Sequence, residues 1–178
     1  MPTYGMILYM AAMRVRTPNL PSIYIHIGII TTFVLTALIP IILMLILWKR
    51  GSISSLHIDN ASERTTPYIY TLICFGFWCY FVGMIIKMPF VWLIVAIGAT
   101  VALMAVTIIN RWWKISAHLT ALGGLLGGAF SISLYYSMLP TMLIIGILLV
   151  SLLLMYARLY LNAHTPMPAV CGYILGLI

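Results

Sequence analysis

Two histidines, an arginine and a serine carry most of the chemistry this 178-residue sequence can offer. Ser116 and His118 lie in "KISAHLTALGG", residues 114–124, and Arg158 and His164 in "ARLYLNAHTP", residues 157–166. Imidazole serves as nucleophile or proton carrier near neutral pH. Ser116 and His118 stand where a glycine-rich apolar helix begins, so its free N–H groups and the positive end of its dipole favour an anion such as phosphate. Arg158 closes one helix, and His164 follows six residues later, just before Pro166 opens another. Two histidines and an arginine converging on a helix N-terminus make a phosphoryl-transfer set. One histidine attacks, the other carries protons, and the arginine and amides hold charge on the equatorial oxygens.

The elements that must position these groups are membrane helices. Hydrophobic residues make up 64% of the chain and charged residues 6%, with a mean hydropathy of +1.16, a balance no soluble globular surface has. The chain reads as an integral membrane protein. Nine basic residues against two acids give a net charge of +7, which in this setting points to anionic lipid and loop charge, not to nucleic acid. Cys74, Cys79 and Cys171 lie in apolar stretches without metal-ligand spacing, so they read as small membrane-core residues and no metal or cofactor is expected.

Five apolar runs approach the roughly 20 residues needed to cross a bilayer: about 22–48, 67–86, 89–109, 116–136 and 139–161. A sixth, "PMPAVCGYILGLI" at 166–178, begins like a spanning helix but has 13 residues; it stops partway, is truncated, or re-enters. The expected fold is an all-α, multi-pass bundle of about six helices over residues 22–178. Residues 1–21 form a separate interfacial or half-inserted segment, since the apolar stretch 6–13 is too short to span. It lacks a basic region before it and a clear cleavage pattern after it, so it does not read as a removable signal peptide.

Each crossing swaps faces. If the face reached after the first helix is side B, then residues 48–67, 110–118 and 157–166 fall there, bringing His57, His118, His164, Asp59 and Glu63 with Lys49, Arg50, Arg64, Arg111, Lys114 and Arg158. Side A receives Arg14, Arg16, the tight turn at Lys87, and residues 133–140. A charge near the bilayer centre costs a few kcal/mol or more. A polar site must therefore gather at one surface, although loops are polar in any case.

At the four chemical residues the chain resembles the type-2 phosphatidic acid phosphatase family, whose signatures are a Lys with a downstream Arg-Pro, then Pro-Ser-Gly-His, then Ser-Arg, five residues, His, three residues, Asp. "ISAH", residues 115–118, keeps Ser116 and His118, with Ile115 and Ala117 replacing proline and glycine. "ARLYLNAHTPMP", residues 157–168, keeps Arg158 and His164 at the family's spacing, with Ala157 and Pro168 replacing serine and aspartate. The nearest candidate for the first signature is "ERTTP", with Arg64 and Pro67 at a helix start. The resemblance implies a membrane phosphatase acting on phosphatidic acid-type lipids or prenyl diphosphates. It makes His164 the nucleophile, His118 the acid that protonates the leaving group, and Arg158 and Ser116 phosphate ligands. The implied location is a bacterial inner membrane with the site on its outer face.

The departures have physical consequences. Pro168 has no side chain to accept the proton of His164, so its tautomer must be set otherwise. Arg64, Lys114 or Arg111 must stand in for the missing lysine. Ala117 adds a Cβ where backbone should approach phosphate. Two functional classes therefore stay open: a lipid-phosphate phosphatase with an altered site, and a noncatalytic relative that binds phospholipid or serves as a structural subunit. A transporter fits less well, because no charge is expected at a helix centre.

Smaller features read more plainly. Gly123, Gly124, Gly127 and Gly128 make two overlaid small-xxx-small pairs, suited to close helix packing inside the chain or, less simply, in a dimer. His26 reads as a hydrogen-bonded core histidine and His57 as a solvated loop residue. Trp112 and Trp113 beside Arg111 and Lys114 fit an interfacial belt, and the twelve methionines read as apolar filler. The positive-inside rule counts six Lys or Arg on side B against three on side A and places B in the cytoplasm. Setting aside Arg111, Lys114 and Arg158 as site charges leaves three against three.

Overall fold

The computed structural model of the protein describes residues 2–14, 22–53, 61–137, 139–161 and 165–177. Among them every regular element is helical: α1 (Pro2–Arg14), α2 (Ser22–Phe33), α3 (Ile39–Lys49), α4 (Ala61–Tyr80), α5 (Phe90–Ile109), α6 (Ala117–Tyr135), α7 (Thr141–Tyr160) and α8 (Pro166–Leu177). A π-helical turn, Val34–Leu38, joins α2 to α3, and a second, Phe81–Ile85, extends α4. Five helices are long and apolar enough to cross a membrane: Ile23–Lys49, Thr65–Ile85, Phe90–Ile109, Ala117–Tyr135 and Thr141–Tyr160. They match the five apolar runs, and the chain is a multi-pass helical membrane protein. One start differs, because α4 begins at Ala61 instead of near residue 67, so Arg64 and Pro67 lie within a helix.

The first π turn sits where proline disturbs the helical register. Pro40 has no N–H for the bond four residues back, and its ring crowds that carbonyl, so the turn before it widens. The Thr36 hydroxyl donates to the Thr32 carbonyl at 2.8 Å in the same stretch. The second π turn leads into the side A corner, where Ile86 N–H donates to Phe81 O at 2.8 Å, Lys87 takes a left-handed φ of 52°, and Pro89 precedes α5.

α6 is the column the other helices surround. Over its apolar stretch 56% of residues are buried, against 11 to 22% in the other four spans. Glycine lets two partners approach its backbone. A Cβ on Gly123 or Gly127 would run into the carbonyls of Tyr173 or Leu177, and one on Gly176 into the Thr120 carbonyl. Rising numbers on α6 meet rising numbers on α8, so the two helices are parallel and begin at the same end. The glycine ladder is used for packing inside the chain, the small-residue route to association in lipid.

The other half of the same column is covered by α1. Met6, Tyr9 and Met10 are buried, and the Tyr9 hydroxyl donates to the Leu125 carbonyl. A Cβ on Gly128 would lie 3.1 Å from that hydroxyl, and the Tyr9 and Trp92 rings are 6.3 Å apart. Tyr9 meets residues near side A and Gly5 meets Leu125 deeper, so α1 descends from side A with Pro2 innermost. Thr32 ties it to α2 and α4, donating to Met6 Sδ at 2.8 Å and accepting from Trp78 Nε1 at 2.9 Å. The main buried cluster, including Phe75, Trp78, Val82, Trp92, Leu126 and Ile132, fills this side A half.

Candidate functional site

The candidate site lies at the opposite end, where α5 and α7 finish and α6 and α8 begin. α5 ends at Ile109, and Asn110 caps it, its N–H donating to the Val106 carbonyl at 2.9 Å and its side-chain amide to the same oxygen at 3.1 Å. The chain then turns through Arg111 to Lys114, all four of them exposed. Trp112 is 78% exposed, so the two tryptophans and two cations form a rim at this end, suited to the headgroup layer. Ile115 is buried in the short segment that returns into α6.

Ser116 precedes the first residue of α6 in extended backbone geometry, yet its hydroxyl caps nothing. A serine here ordinarily accepts from the second or third helical N–H. Instead Ser116 is wholly buried, and its Oγ has no hydrogen-bond partner among the described residues. Its backbone is occupied: the N–H donates to the Pro168 carbonyl at 3.3 Å, and its carbonyl accepts from Thr120 N–H at 3.0 Å and from Thr120 Oγ1 at 3.0 Å. Gly172 presses against it, since a Cβ there would lie 2.8 Å from Ser116 O. His118, two residues further, is exposed and engaged in an interaction of its own.

The Ser116–Pro168 bond joins the two segments that carry the candidate residues. Pro168 is buried on the first turn of α8, so the position that takes aspartate in the resembling family here contributes a backbone acceptor to helix packing. Arg158 lies in the last turn of α7, half-buried, where a cation complements the negative end of the helix dipole. Arg64 falls in the first turns of α4, its side chain outside the described ones. His164, His57 and Asp59 also lie outside the described residues.

Lys114, Ser116 and His118 thus lie at the start of α6, with the amides of Ala117, His118 and Leu119 unclaimed by the α-helical ladder, and Arg158 lies at the end of α7 on the same end of the bundle. No three His, Cys, Asp or Glu side chains among the described residues gather as a metal site. Sequence reasoning missed Pro168 as an acceptor and Gly172 as the close neighbour of Ser116. A signal for the second was present, since Gly172 and Gly176 are themselves a Gly-x-x-x-Gly pair. The fold defines a multi-pass helical membrane protein, with Arg111, Lys114 and Arg158 at the helix termini of one end. Beyond that class, no family model, curated protein or solved structure matches the chain.

Proposed function

We propose that the protein is a lipid-phosphate phosphatase of the type-2 phosphatidic acid phosphatase kind with altered signatures. The observation that carries this reading is the Ser116–Pro168 hydrogen bond of 3.3 Å, which holds the start of α6 beside the start of α8, two residues beyond His164 in sequence. In this reading phosphate rests on the α6 amides, with Lys114, Arg158 and Arg64 balancing its charge and Ser116 turned toward it. His164 attacks phosphorus as the P–O bond to the leaving group breaks, an ester bond in a phosphatidic acid and the anhydride bond in a diphosphate. His118 gives the leaving oxygen its proton, releasing an alcohol or a prenyl phosphate, and water then cleaves the P–N bond to release inorganic phosphate. The substrate is a phosphatidic acid-type lipid or a polyprenyl diphosphate, met at the outer face of a bacterial inner membrane.

A noncatalytic, phospholipid-binding relative is the second reading. It is favoured by the complete burial of Ser116 and by Pro168 in place of the acid that would orient His164. Phosphate release from a panel of lipid phosphates, measured for purified protein beside His164→Ala, separates the two. Release that His164→Ala abolishes supports the enzyme; equal background from both proteins leaves a binding protein.

A further inference from the structure

Between α5 and α6 an apolar cavity of about 460 Å³ runs along the bundle. Small residues carve it: Gly98, Ala99 and Ala102 on one wall, Ala121 and Gly124 on the other. A Cβ added to Gly98 would meet nothing within 4 Å. The walls run from Val106 to Trp92 on α5 and from Ala117 to Ser131 on α6, about 20 Å along each helix at 1.5 Å per residue. The upper end reaches Ala117 and Thr120, next to Ser116. The lower end closes on Met6, Tyr9, Trp78 and Trp92, which belong to the packed cluster.

We propose that this cavity receives one hydrocarbon chain of the phosphorylated lipid, with Tyr9 and Trp92 as the stop that sets how long a chain it takes. The proposal rests on the phosphate reading above and names the part of the substrate that reading leaves open. Shape selects the occupant. The volume suits a small apolar ligand, and the surroundings of these helices are lipid.

Charge selects the headgroup. Exposed Arg111 and Lys114 lie a few residues before Ala117 of the upper end, in a chain with only two acids, so the matching headgroup is anionic. Length adds a preference. About 20 Å exceeds half of a bilayer core about 30 Å thick, so the slot takes a chain that reaches past the midplane. The helix that stops it, α1, enters from the opposite face.

The test uses the full chain in phosphatidylcholine nanodiscs with hexadecyl phosphate and hexadecanol, each bearing a diazirine on its terminal carbon. Hexadecyl phosphate is expected to label Met6, Tyr9 or Trp92, and an octyl phosphate analogue to label α5 nearer Val106. Gly98→Phe is expected to cut floor labelling roughly tenfold; Ala102→Leu serves the same purpose if that variant does not fold. Competition by farnesyl phosphate or by dioleoyl phosphatidic acid separates prenyl from acyl sources. Label confined to the lipid-facing surfaces of α3 and α7, or floor labelling unchanged in a folded slot variant, overturns the proposal. If hexadecanol labels the floor as well as hexadecyl phosphate does, the chain slot stands and the phosphate reading falls.

Discussion

Gly176 and Thr120 are packed so closely that the missing Cβ of the glycine is replaced by the threonine's carbonyl oxygen. This contact, repeated at Gly123 and Tyr173, locks a 12-residue helix too short to span against the central span of the bundle. The first consequence is for stability. Gly176→Ala forces two backbones apart and is expected to cost roughly 2 kcal/mol, within the usual range for overpacking. Gly146→Ala, where the added Cβ meets nothing, is expected to be neutral or to gain up to about 1 kcal/mol from helix propensity. Reversible unfolding in mixed micelles reads both, and equal midpoints for the two variants would contradict the close approach.

Ser116 gives a prediction in which stability and function move apart. Its buried hydroxyl is unpartnered among the described residues, so Ser116→Ala removes a group that already bears a desolvation penalty of about 1–3 kcal/mol. The variant is expected to be at least as stable as the parent while binding hexadecyl phosphate more weakly. A clear drop in stability with unchanged binding would make the hydroxyl structural.

Thr32 links three helices through two hydrogen bonds, accepting from Trp78 Nε1 and donating to Met6 Sδ. Thr32→Val keeps the shape and leaves the buried indole N–H without its acceptor, at an expected cost of about 1 kcal/mol. Faster hydrogen exchange confined to residues 2–14 is the accompanying sign, because α1 loses its tie to α2 and α4. Exchange unchanged there would show that Tyr9 alone holds the helix in place.

The side of the membrane is open to direct measurement. With Cys74, Cys79 and Cys171 replaced, Ser54→Cys is expected to react with an impermeant maleimide added outside the cell, and Ser137→Cys only after the membrane is permeabilised. Labelling of position 54 solely from the cytoplasmic side would put the charged end inside, as the positive-inside count of Lys and Arg has it.

Much of the architecture was legible because it depends on local properties. The five spans appear as apolar runs, and the turn at Lys87 and the start of α8 are marked by Pro89 and Pro166. Prolines and polar runs end helices whatever their neighbours do. The apolar run that begins near residue 67 marks the membrane span Thr65–Ile85 but not the polar first turns of α4 from Ala61, which hydropathy does not register. At the charged end, Ser116, His118, Lys114 and Arg158 could be assigned to one face by counting crossings. That Pro168 would supply an acceptor to Ser116, and that Gly172 would press on it, needed the pairing of α6 with α8.

Composition and spacing alone establish a polytopic helical protein with its ionisable groups weighted to one surface, because the bilayer penalises charge and unpaired backbone wherever they fall. They do not say which helix faces which. A helix apolar all round shows the same hydropathy to lipid as to a neighbour, so burial leaves little mark on its pattern. Only the folded chain decides that α6 is the central column, that α1 and α8 cover its two halves from opposite faces, and that small residues on α5 and α6 leave a chain-sized space between them. Those outcomes turn on how closely two backbones can approach, a distance between residues far apart in sequence.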